Sequence, residues 1–385
     1  MDGNDNQELR MNRRDLFRLA GCGAGAVVLG RLPGPAKPAH AQEARKGFVN
    51  AIPAPFFTEL GGDRLRCDLC PHECRMAPGE RGLCRVRENR GGRGYTLSHG
   101  NPCVVQMAPV ERKPFFHVVP GSRSLSVATA GCNLECGFCE VWDTALVGPE
   151  DVHAFDLPPR AIVETARESG ARSVAYTFGE PVVFFEYMAS IAALAGREGL
   201  LSLMHSAGFI NPQPLERLCT LMDAANIDLK GFDAEFYRRV CGGELEPVLE
   251  TLRTIRASDI HLEITNILIP TLNDDMRMVR RMCEWIATEL GPDTPLHFSR
   301  FYPLYKLANL PPTPVSTLNE ARATAMASGL RYVYVAKVPG HEGENTFCPG
   351  CREMAIRRTG FMVEEMRVAD GKCEGCGEPI PGIWA

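Results

Sequence analysis

Three cysteines with the spacing Cys-x-x-x-Cys-x-x-Cys are the residues of this sequence best suited to chemistry, namely Cys132, Cys136 and Cys139. They directly follow an apolar run at residues 124–131. Iron–sulfur clusters of the [4Fe-4S] type are normally held by four thiolates, so a group of three leaves one iron without a protein ligand. An open coordination position is typical of a metal centre that carries out a reaction. Three buried thiols or a disulfide are the alternative interpretation of this spacing.

Two further groups of cysteines have the spacing of metal ligands. The first holds four thiols within 18 residues, among glycines and prolines that can bend the backbone around a metal: Cys67, Cys70, Cys74 and Cys84. The second holds two Cys-x-x-Cys pairs in a spacing typical of a zinc ribbon or a rubredoxin-like site: Cys348, Cys351, Cys373 and Cys376. Disulfides are the alternative for both groups, and the sequence does not distinguish zinc from an iron–sulfur cluster.

The amino-acid composition is that of an ordinary folded protein with a small excess of acidic residues. Of the 385 residues, 45% are hydrophobic, and 42 Lys and Arg face 47 Asp and Glu, for a formal net charge of -5. The chain is long enough for one barrel-sized domain with small attachments. It has no basic stripe to follow a phosphate backbone, which argues against a nucleic-acid partner.

The first 41 residues have the pattern of a targeting segment. Arg13 and Arg14 begin a twin-arginine motif, residues 19–30 are weakly apolar, and residues 39–41 form an Ala-x-Ala cleavage site. The apolar run is too short to span a bilayer, so no transmembrane span is predicted. The leader predicts export to the periplasm or cell envelope. The cytoplasm is the alternative location, because low-potential electron donors are cytoplasmic.

From residue 116 onward, short apolar strands alternate with helices, which predicts an α/β fold with a parallel sheet, as a partial or full (β/α) barrel. The predicted strands are 124–129, 173–177, 200–205, 225–229, 261–269, 296–301 and 331–336. The predicted helices are 159–169, 185–197, 214–222, 246–257 and 275–290, with start signals at Pro158, Asn211, Asn273 and Asp274. The predicted domains are the leader 1–41, a Cys-rich region 42–115, the barrel 116–340 and a metal ribbon 341–385.

Several polar residues lie where the predicted strands end, which is where barrels collect their active-site residues. Gly179 and Glu180 follow the second strand, and Asp228 and Lys230 end the fourth. His297 lies in the strand 296–301. The alternatives are an ordinary turn, a buried ion pair and a structural histidine, respectively.

Together these motifs resemble the radical S-adenosylmethionine (SAM) superfamily, and within it the radical SAM member of the AmmeMemoRadiSam system, which is similar to pyruvate-formate-lyase-activating enzyme. The resemblance covers nearly everything after the leader. Besides the cysteine loop 132–142 and the Gly179-Glu180-Pro181 element, it rests on residues 67–72, 113–117, 120–122, 227–231, 297–303 and 380–384. The chain departs from the pattern at Phe178, where a second glycine is usual, at Glu140 and Val141, and at Ala207.

The resemblance implies an enzyme that uses a [4Fe-4S] cluster and SAM. In that family the free iron binds SAM, and an electron from the cluster gives a 5'-deoxyadenosyl radical that abstracts hydrogen from a substrate. Here Cys132, Cys136 and Cys139 would hold the cluster. The residues implied to bind SAM are Phe138, Gly179, Glu180, Asp228, Lys230 and His297.

The implied partners are a low-potential electron donor and either a protein substrate or other proteins of the AmmeMemoRadiSam system. The substrate is not determined by the sequence. The alternative function, from another class, is a metal-stapled binding or electron-transfer protein without SAM chemistry.

Overall fold

The computed structural model describes residues 43–384. The twin-arginine motif at Arg13 and Arg14 and the cleavage site at residues 39–41 lie outside the described residues and stay predictions, as does export. Among the residues that are described, none of the helices combines the length and the apolar character needed to cross a membrane. The described residues form one compact unit.

The N-terminal region consists of short antiparallel strands. They are β1 (Arg45–Lys46), β2 (Ile52–Pro53), β3 (Phe57–Gly61), β4 (Arg64–Cys67), β5 (Arg75–Met76), β6 (Arg87–Arg90) and β7 (Arg93–Thr96). Strands β3, β4 and β5 form one small sheet, and β2, β7 and β6 form another. Gly91 and Gly92, at φ of 58° and 80°, make the two-residue turn between β6 and β7. Strands this short bury little apolar surface, so the region needs support from its cysteine group.

The central element is a mostly parallel sheet. Its strands and one short neighbour are β8 (Val104–Pro109), β9 (Arg123–Ala128), β10 (His153–Ala154), β11 (Ser173–Tyr176), β12 (Leu201–Ser206), β13 (Ala224–Asp228), β14 (His261–Leu268), β15 (Leu296–Arg300) and β16 (Val333–Ala336). In the described residues the sheet has eight strands, in the order β16-β15-β14-β13-β12-β11-β9-β8, and its two edges are not paired with each other. Strand β8 runs antiparallel to β9, the others run parallel, and β10 pairs with β1. The predicted parallel sheet and partial barrel are confirmed.

Helices connect the parallel strands. They are α1 (Trp142–Ala145), α2 (Pro159–Glu168), α3 (Phe185–Arg197), α4 (Pro212–Cys219), α5 (Ala234–Phe236), α6 (Leu245–Ala257), α7 (Met276–Trp285) and α8 (Val315–Ala327). Pro158 and Asn211 precede α2 and α4, as predicted. Helix α7 is capped by Asp275 instead, because the side chain of Asn273 accepts a hydrogen bond from Ile269 N at 2.6 Å. Helix α8 was not predicted.

The two faces of the sheet have different partners. Outward-facing residues such as Val174 pack with the helices in the main hydrophobic core, together with Ile162 of α2. Inward-facing Ala175 and Leu203 pack with Phe115, from the segment between β8 and β9. This segment fills part of the inside of the sheet with apolar side chains.

The C-terminal region forms a small antiparallel module. Its strands are β17 (Thr346–Phe347), β18 (Met354–Thr359), β19 (Met362–Met366), β20 (Val368–Ala369) and β21 (Lys372–Cys373). Ile356 packs with Phe116 and Tyr334 in a separate hydrophobic cluster. Strand β8, which the sequence assigns to the Cys-rich region, belongs to the main sheet. The predicted boundaries at 115 and 340 stay predictions within one compact unit.

Candidate active site

The loop that follows β9 carries the three predicted cluster ligands, Cys132, Cys136 and Cys139. Its backbone is fixed by a π-helical turn, Tyr237–Cys241, that follows α5. Glu135 N donates to the carbonyl of Cys241 and Gly137 N donates to the carbonyl of Val240, each at 2.8 Å. The strand end and the turn thus fix the loop from two sides, and all three thiols are at least partly shielded from water.

The thiols of this loop differ in their electrostatic surroundings. A hydrogen bond with the Cys241 thiol lowers the pKa of Cys136, burial opposes this, and the Lys230 ammonium lowers it further. Burial raises the pKa of Cys132 well above its ordinary value, and the charge of Glu180 adds to the increase. Cys241 was not predicted to belong to the site, because it stands apart from every cysteine motif.

Glu180 lies at the end of β11 with its carboxylate 4% exposed. Its Oε1 accepts hydrogen bonds from Val182 N at 3.1 Å and Ser206 Oγ at 2.6 Å, and its Oε2 accepts one from Ala207 N at 2.9 Å. Burial raises the pKa of this carboxyl, and the hydrogen bonds from Ser206, Ala207 and Val182 oppose the increase. Glu180 therefore ties the loop after β11 to the loop after β12, in addition to any ligand contact.

Asp228 and Lys230 form the centre of a polar network at the same edge of the sheet. Asp228 Oδ2 is 3.0 Å from Lys230 Nζ, and Asp228 Oδ1 accepts from His205 Nε2 at 2.9 Å. His205 Nδ1 lies 3.1 Å from Thr177 Oγ1. Burial alone would raise the pKa of Asp228, but Lys230 and His205 lower it well below its ordinary value. His205 was not predicted, because one histidine in a strand carries no signal of its partners.

Phe138 packs beside this network rather than facing solvent. It is 4% exposed. The Lys230 Nζ lies 5.7 Å from the centre of its ring, and the ring of Phe236 stacks at 6.3 Å. A cation over an aromatic face is held electrostatically in a site without water. Phe138 thus positions Lys230 beside the cysteine loop.

His297 lies inside the sheet and is completely buried. Its Nε2 donates to Glu263 Oε2 at 2.6 Å, while its Nδ1 has no hydrogen-bond partner among the described residues. Glu263 also accepts hydrogen bonds from Phe116 N and His117 N. In the register of β13, β14 and β15, His297 shares a row with Asp228, two strands and roughly 10 Å away. The structure therefore gives His297 a buried hydrogen-bonding role, and its predicted contact with SAM stays a prediction.

The residues present fit a cluster and a SAM molecule at this edge. Gly179 comes so close to the end of β9 that an added Cβ would lie 3.2 Å from Thr129 O, so a larger residue would crowd the two loops. His297 Nδ1 is a buried polar atom without a hydrogen-bond partner among the described residues, as a ligand inside the sheet would require. Three thiols with a neighbouring ammonium also provide the right donor chemistry.

The C-terminal cysteines form a compact group with the spacing of metal ligands. The ligand atoms of Cys348, Cys351, Cys373 and Cys376 all lie within 4.8 Å of one another. Cys348 Sγ is 3.5 Å from Cys376 Sγ, and Cys351 Sγ is 3.8 Å from Cys373 Sγ. Zn–S bonds of about 2.3 Å in a tetrahedron place sulfur atoms roughly 3.8 Å apart. The predicted ribbon with a four-cysteine site is confirmed, and its geometry suits one zinc or iron ion.

Comparisons with known proteins agree with this geometry. The sequence profile of the radical SAM superfamily matches residues 126–283, which include the cysteine loop and the strands β11 to β14. An uncharacterized protein of Methanocaldococcus jannaschii is 40% identical over 329 residues, which cover 85% of this chain and 98% of that protein.

More distant similarities involve activating enzymes. The pyruvate formate-lyase-activating enzyme of Listeria monocytogenes is 25% identical over 177 residues, which cover 44% of this chain and 71% of that protein. Among solved structures, a domain of the pyruvate-formate lyase-activating enzyme from Bacteroides vulgatus has a TM-score of 0.38 and 17% identity, and covers 43% of this chain and 98% of that domain.

Proposed function

The chain belongs to the radical SAM superfamily, and from this premise we propose that it cleaves SAM reductively to begin a radical reaction. A [4Fe-4S] cluster bound by Cys132, Cys136 and Cys139 would supply the electron that yields the 5'-deoxyadenosyl radical. The proposed reaction on the substrate is hydrogen abstraction. The chain's own contribution is to bind SAM, orient it and exclude water.

The observation that carries this proposal is the meeting of charged residues and thiols at one edge of the sheet. Lys230 pairs with Asp228 at 3.0 Å, and its charge acts on the thiol of Cys136. Glu180 acts electrostatically on Cys132 from the neighbouring strand end. A structural cysteine site would need no buried ion pair beside it, whereas a zwitterionic ligand requires both signs of charge.

Each of these residues has a distinct proposed role. Gly179 lets the backbone approach SAM closely, and the Glu180 carboxylate contributes negative charge near its ammonium group. Lys230 and Asp228 give the site a fixed dipole that needs no rearrangement during the reaction. Phe138, packed against Phe236, keeps water from the cysteine loop.

The proposed substrate class is based on the activating enzymes among the relatives of this chain. Relatives include the activating enzymes of pyruvate formate-lyase and of (2S)-3-sulfopropanediol dehydratase. On this basis the substrate is a glycine of a partner protein or, alternatively, a small molecule handled with other proteins of the AmmeMemoRadiSam system. A low-potential one-electron donor is the second partner.

The proposed function is tested by anaerobic incubation of the full chain with dithionite and SAM. We expect 5'-deoxyadenosine and methionine to form, which chromatography detects directly. Absence of 5'-deoxyadenosine from a sample with a full complement of iron and sulfide would overturn the proposal. It would favour the alternative of a metal-stapled binding or electron-transfer protein.

The Asp228→Asn substitution is expected to weaken SAM binding about 10–100-fold, because loss of a supporting charge next to a metal site typically has this effect. Asparagine cannot balance the charge of Lys230, whose side chain is 11% exposed. The measurement is the Kd for SAM by anaerobic calorimetry at equal iron content. Asp223→Asn is the matched control, since Asp223 precedes the same strand at its other end and accepts from Ser202 N. Equal affinities for the two variants would contradict the proposed role.

A further inference from the structure

The four N-terminal cysteines converge on one cavity. Its lining includes the group Cys67, Cys70, Cys74 and Cys84. His72, Arg87 and Asn133 also line it, although Asn133 belongs to the loop that carries Cys132. The cavity therefore joins two parts of the chain that are more than 40 residues apart in sequence.

The spacing of these thiols differs from that of the C-terminal site. A single tetrahedral ion draws its sulfur atoms to within roughly 3.8 Å of one another, as in the pair Cys351 and Cys373. Among residues 43–384, the C-terminal cysteines lie close enough together to hold one metal ion, with all ligand atoms within 4.8 Å, and the N-terminal cysteines do not form a group of that kind. In a four-iron cluster each iron carries one thiolate, so the sulfur atoms stand further apart around a central space.

Two buried polar side chains in the cavity wall have unsatisfied atoms. Arg87 is 1% exposed and its Nε has no hydrogen-bond partner in the described part of the chain. The same is true of Asn133, also 1% exposed, at its Oδ1. Asn133 donates through Nδ2 to the carbonyl oxygen of Phe209 at 2.7 Å, so its free atom is an acceptor, and Arg87 is the side chain that brings a free donor to the wall. A buried guanidinium beside thiolates stabilises the excess negative charge of an iron–sulfur cluster.

The cavity is in direct contact with the candidate active site. His72 Nε2 lies 2.7 Å from the carbonyl oxygen of Asn133, which follows Cys132 in sequence. Gly131 precedes Cys132 at φ of 98°, and a Cβ there would lie 2.7 Å from Cys84 O. Gly131 and Asn133, which flank Cys132, thus each lie against the segment that carries the N-terminal cysteines. Such contact suits a group that exchanges electrons with the active site.

We propose that Cys67, Cys70, Cys74 and Cys84 hold an auxiliary [4Fe-4S] cluster that accepts one electron at a time from a low-potential carrier protein and passes it to the centre at Cys132, Cys136 and Cys139. The carrier, of the flavodoxin or ferredoxin class, is oxidised by one electron and the active-site centre is reduced by one. Leu83, 37% exposed in the loop before Cys84, gives the carrier an accessible surface. This electron-transfer role rests on the proposed function, whereas the occupancy of the cavity does not.

Metal and sulfide analysis of the full chain tests the occupancy. The protein is produced with both iron and zinc in the medium and purified without oxygen. We expect about eight sulfide ions per chain, with about eight irons in the two clusters and about one further zinc or iron ion at the C-terminal site. About four sulfide ions per chain would overturn the proposal, because the N-terminal cavity would then hold no cluster. The count does not depend on SAM cleavage, so it separates this proposal from the proposed function.

A variant lacking the three active-site thiols, Cys132→Ala/Cys136→Ala/Cys139→Ala, provides a second test. It should keep about four irons per chain and give a reduced-cluster electron paramagnetic resonance signal that SAM does not change. Adding Cys67→Ser/Cys70→Ser, which leaves two thiols in the N-terminal group, should remove that signal, whereas adding Cys219→Ser, a lone thiol outside all three groups, should not. Absence of iron from the triple variant in the presence of bound zinc would overturn the assignment.

The electron-transfer role is tested with flavodoxin and dithionite as alternative reductants. In Cys67→Ser/Cys70→Ser, reduction of the remaining centre by flavodoxin should be lost, while reduction by the small molecule dithionite should persist. Unchanged reduction by flavodoxin would overturn the role while leaving the cluster itself in place.

Discussion

The Cys136→Ala variant is expected to form no detectable 5'-deoxyadenosine from SAM and to bind about four irons fewer per chain than the native protein. Cys136 is the buried thiol of the three in its loop. A hydrogen bond with Cys241 and the charge of Lys230 lower its pKa, so this side chain is the best prepared to act as a thiolate ligand. Without it, two thiols remain to hold a cluster that normally uses at least three. Chromatography and iron analysis of anaerobic samples measure both effects.

Two further variants complete this experiment. Cys283→Ala removes a lone buried thiol of α7, and we expect it to keep both the iron and the SAM cleavage. Cys241 lies close enough to Cys136 to hydrogen-bond with it and could replace it as a ligand. The double variant Cys136→Ala/Cys241→Ala excludes this replacement. SAM cleavage that persists in the double variant would show that the cluster ligands are assigned incorrectly.

The main sheet could be predicted because its strands are apolar runs between turn residues. Residues 173–177 were predicted as a strand, and β11 occupies Ser173–Tyr176. One helix and one strand have weaker secondary-structure signals in the sequence. Helix α8, Val315–Ala327, is rich in small and polar residues and has no strong apolar face. Strand β8 ends at Pro109 and forms an edge, where regular alternation is not required.

The candidate site could be predicted only as far as local motifs extend. The cysteine loop, Gly179 and the pair Asp228 and Lys230 each follow a strand, so parallel topology brings them to one edge. Supporting residues depend on long-range contacts that no local pattern encodes. In the sequence, for example, His205 is a single histidine within a strand. Only the fold shows that its Nε2 lies 2.9 Å from Asp228 Oδ1. The position of Asn133 in the wall of the N-terminal cavity depends in the same way on how two distant segments pack.

Glu263→Gln is expected to lower the free energy of unfolding by about 3–5 kcal/mol, because Glu263 is a fully buried carboxylate surrounded by donors. Its Oε1 accepts from His117 N at 2.9 Å, and its Oε2 accepts from His297 Nε2 at 2.6 Å. Phe116 N and His261 Nε2 donate to the same group. A glutamine would turn one acceptor into a donor that faces other donors, leaving buried groups unsatisfied. Urea unfolding monitored by tryptophan fluorescence measures the difference.

The stability difference between the native chain and Glu263→Gln should depend on pH in a defined direction. Burial would raise the pKa of Glu263, but hydrogen bonds from His261 and His297 hold it well below its ordinary value of 4.5. The carboxylate therefore stabilises the fold fully above about pH 4.5, and this contribution is lost as the pH falls through the lowered pKa. Glu289→Gln, at an exposed pair with Arg253, should change the stability by less than about 1 kcal/mol. If both glutamine variants were equally stable at pH 7, Glu263 would not be the buried anchor that fixes His297 inside the sheet.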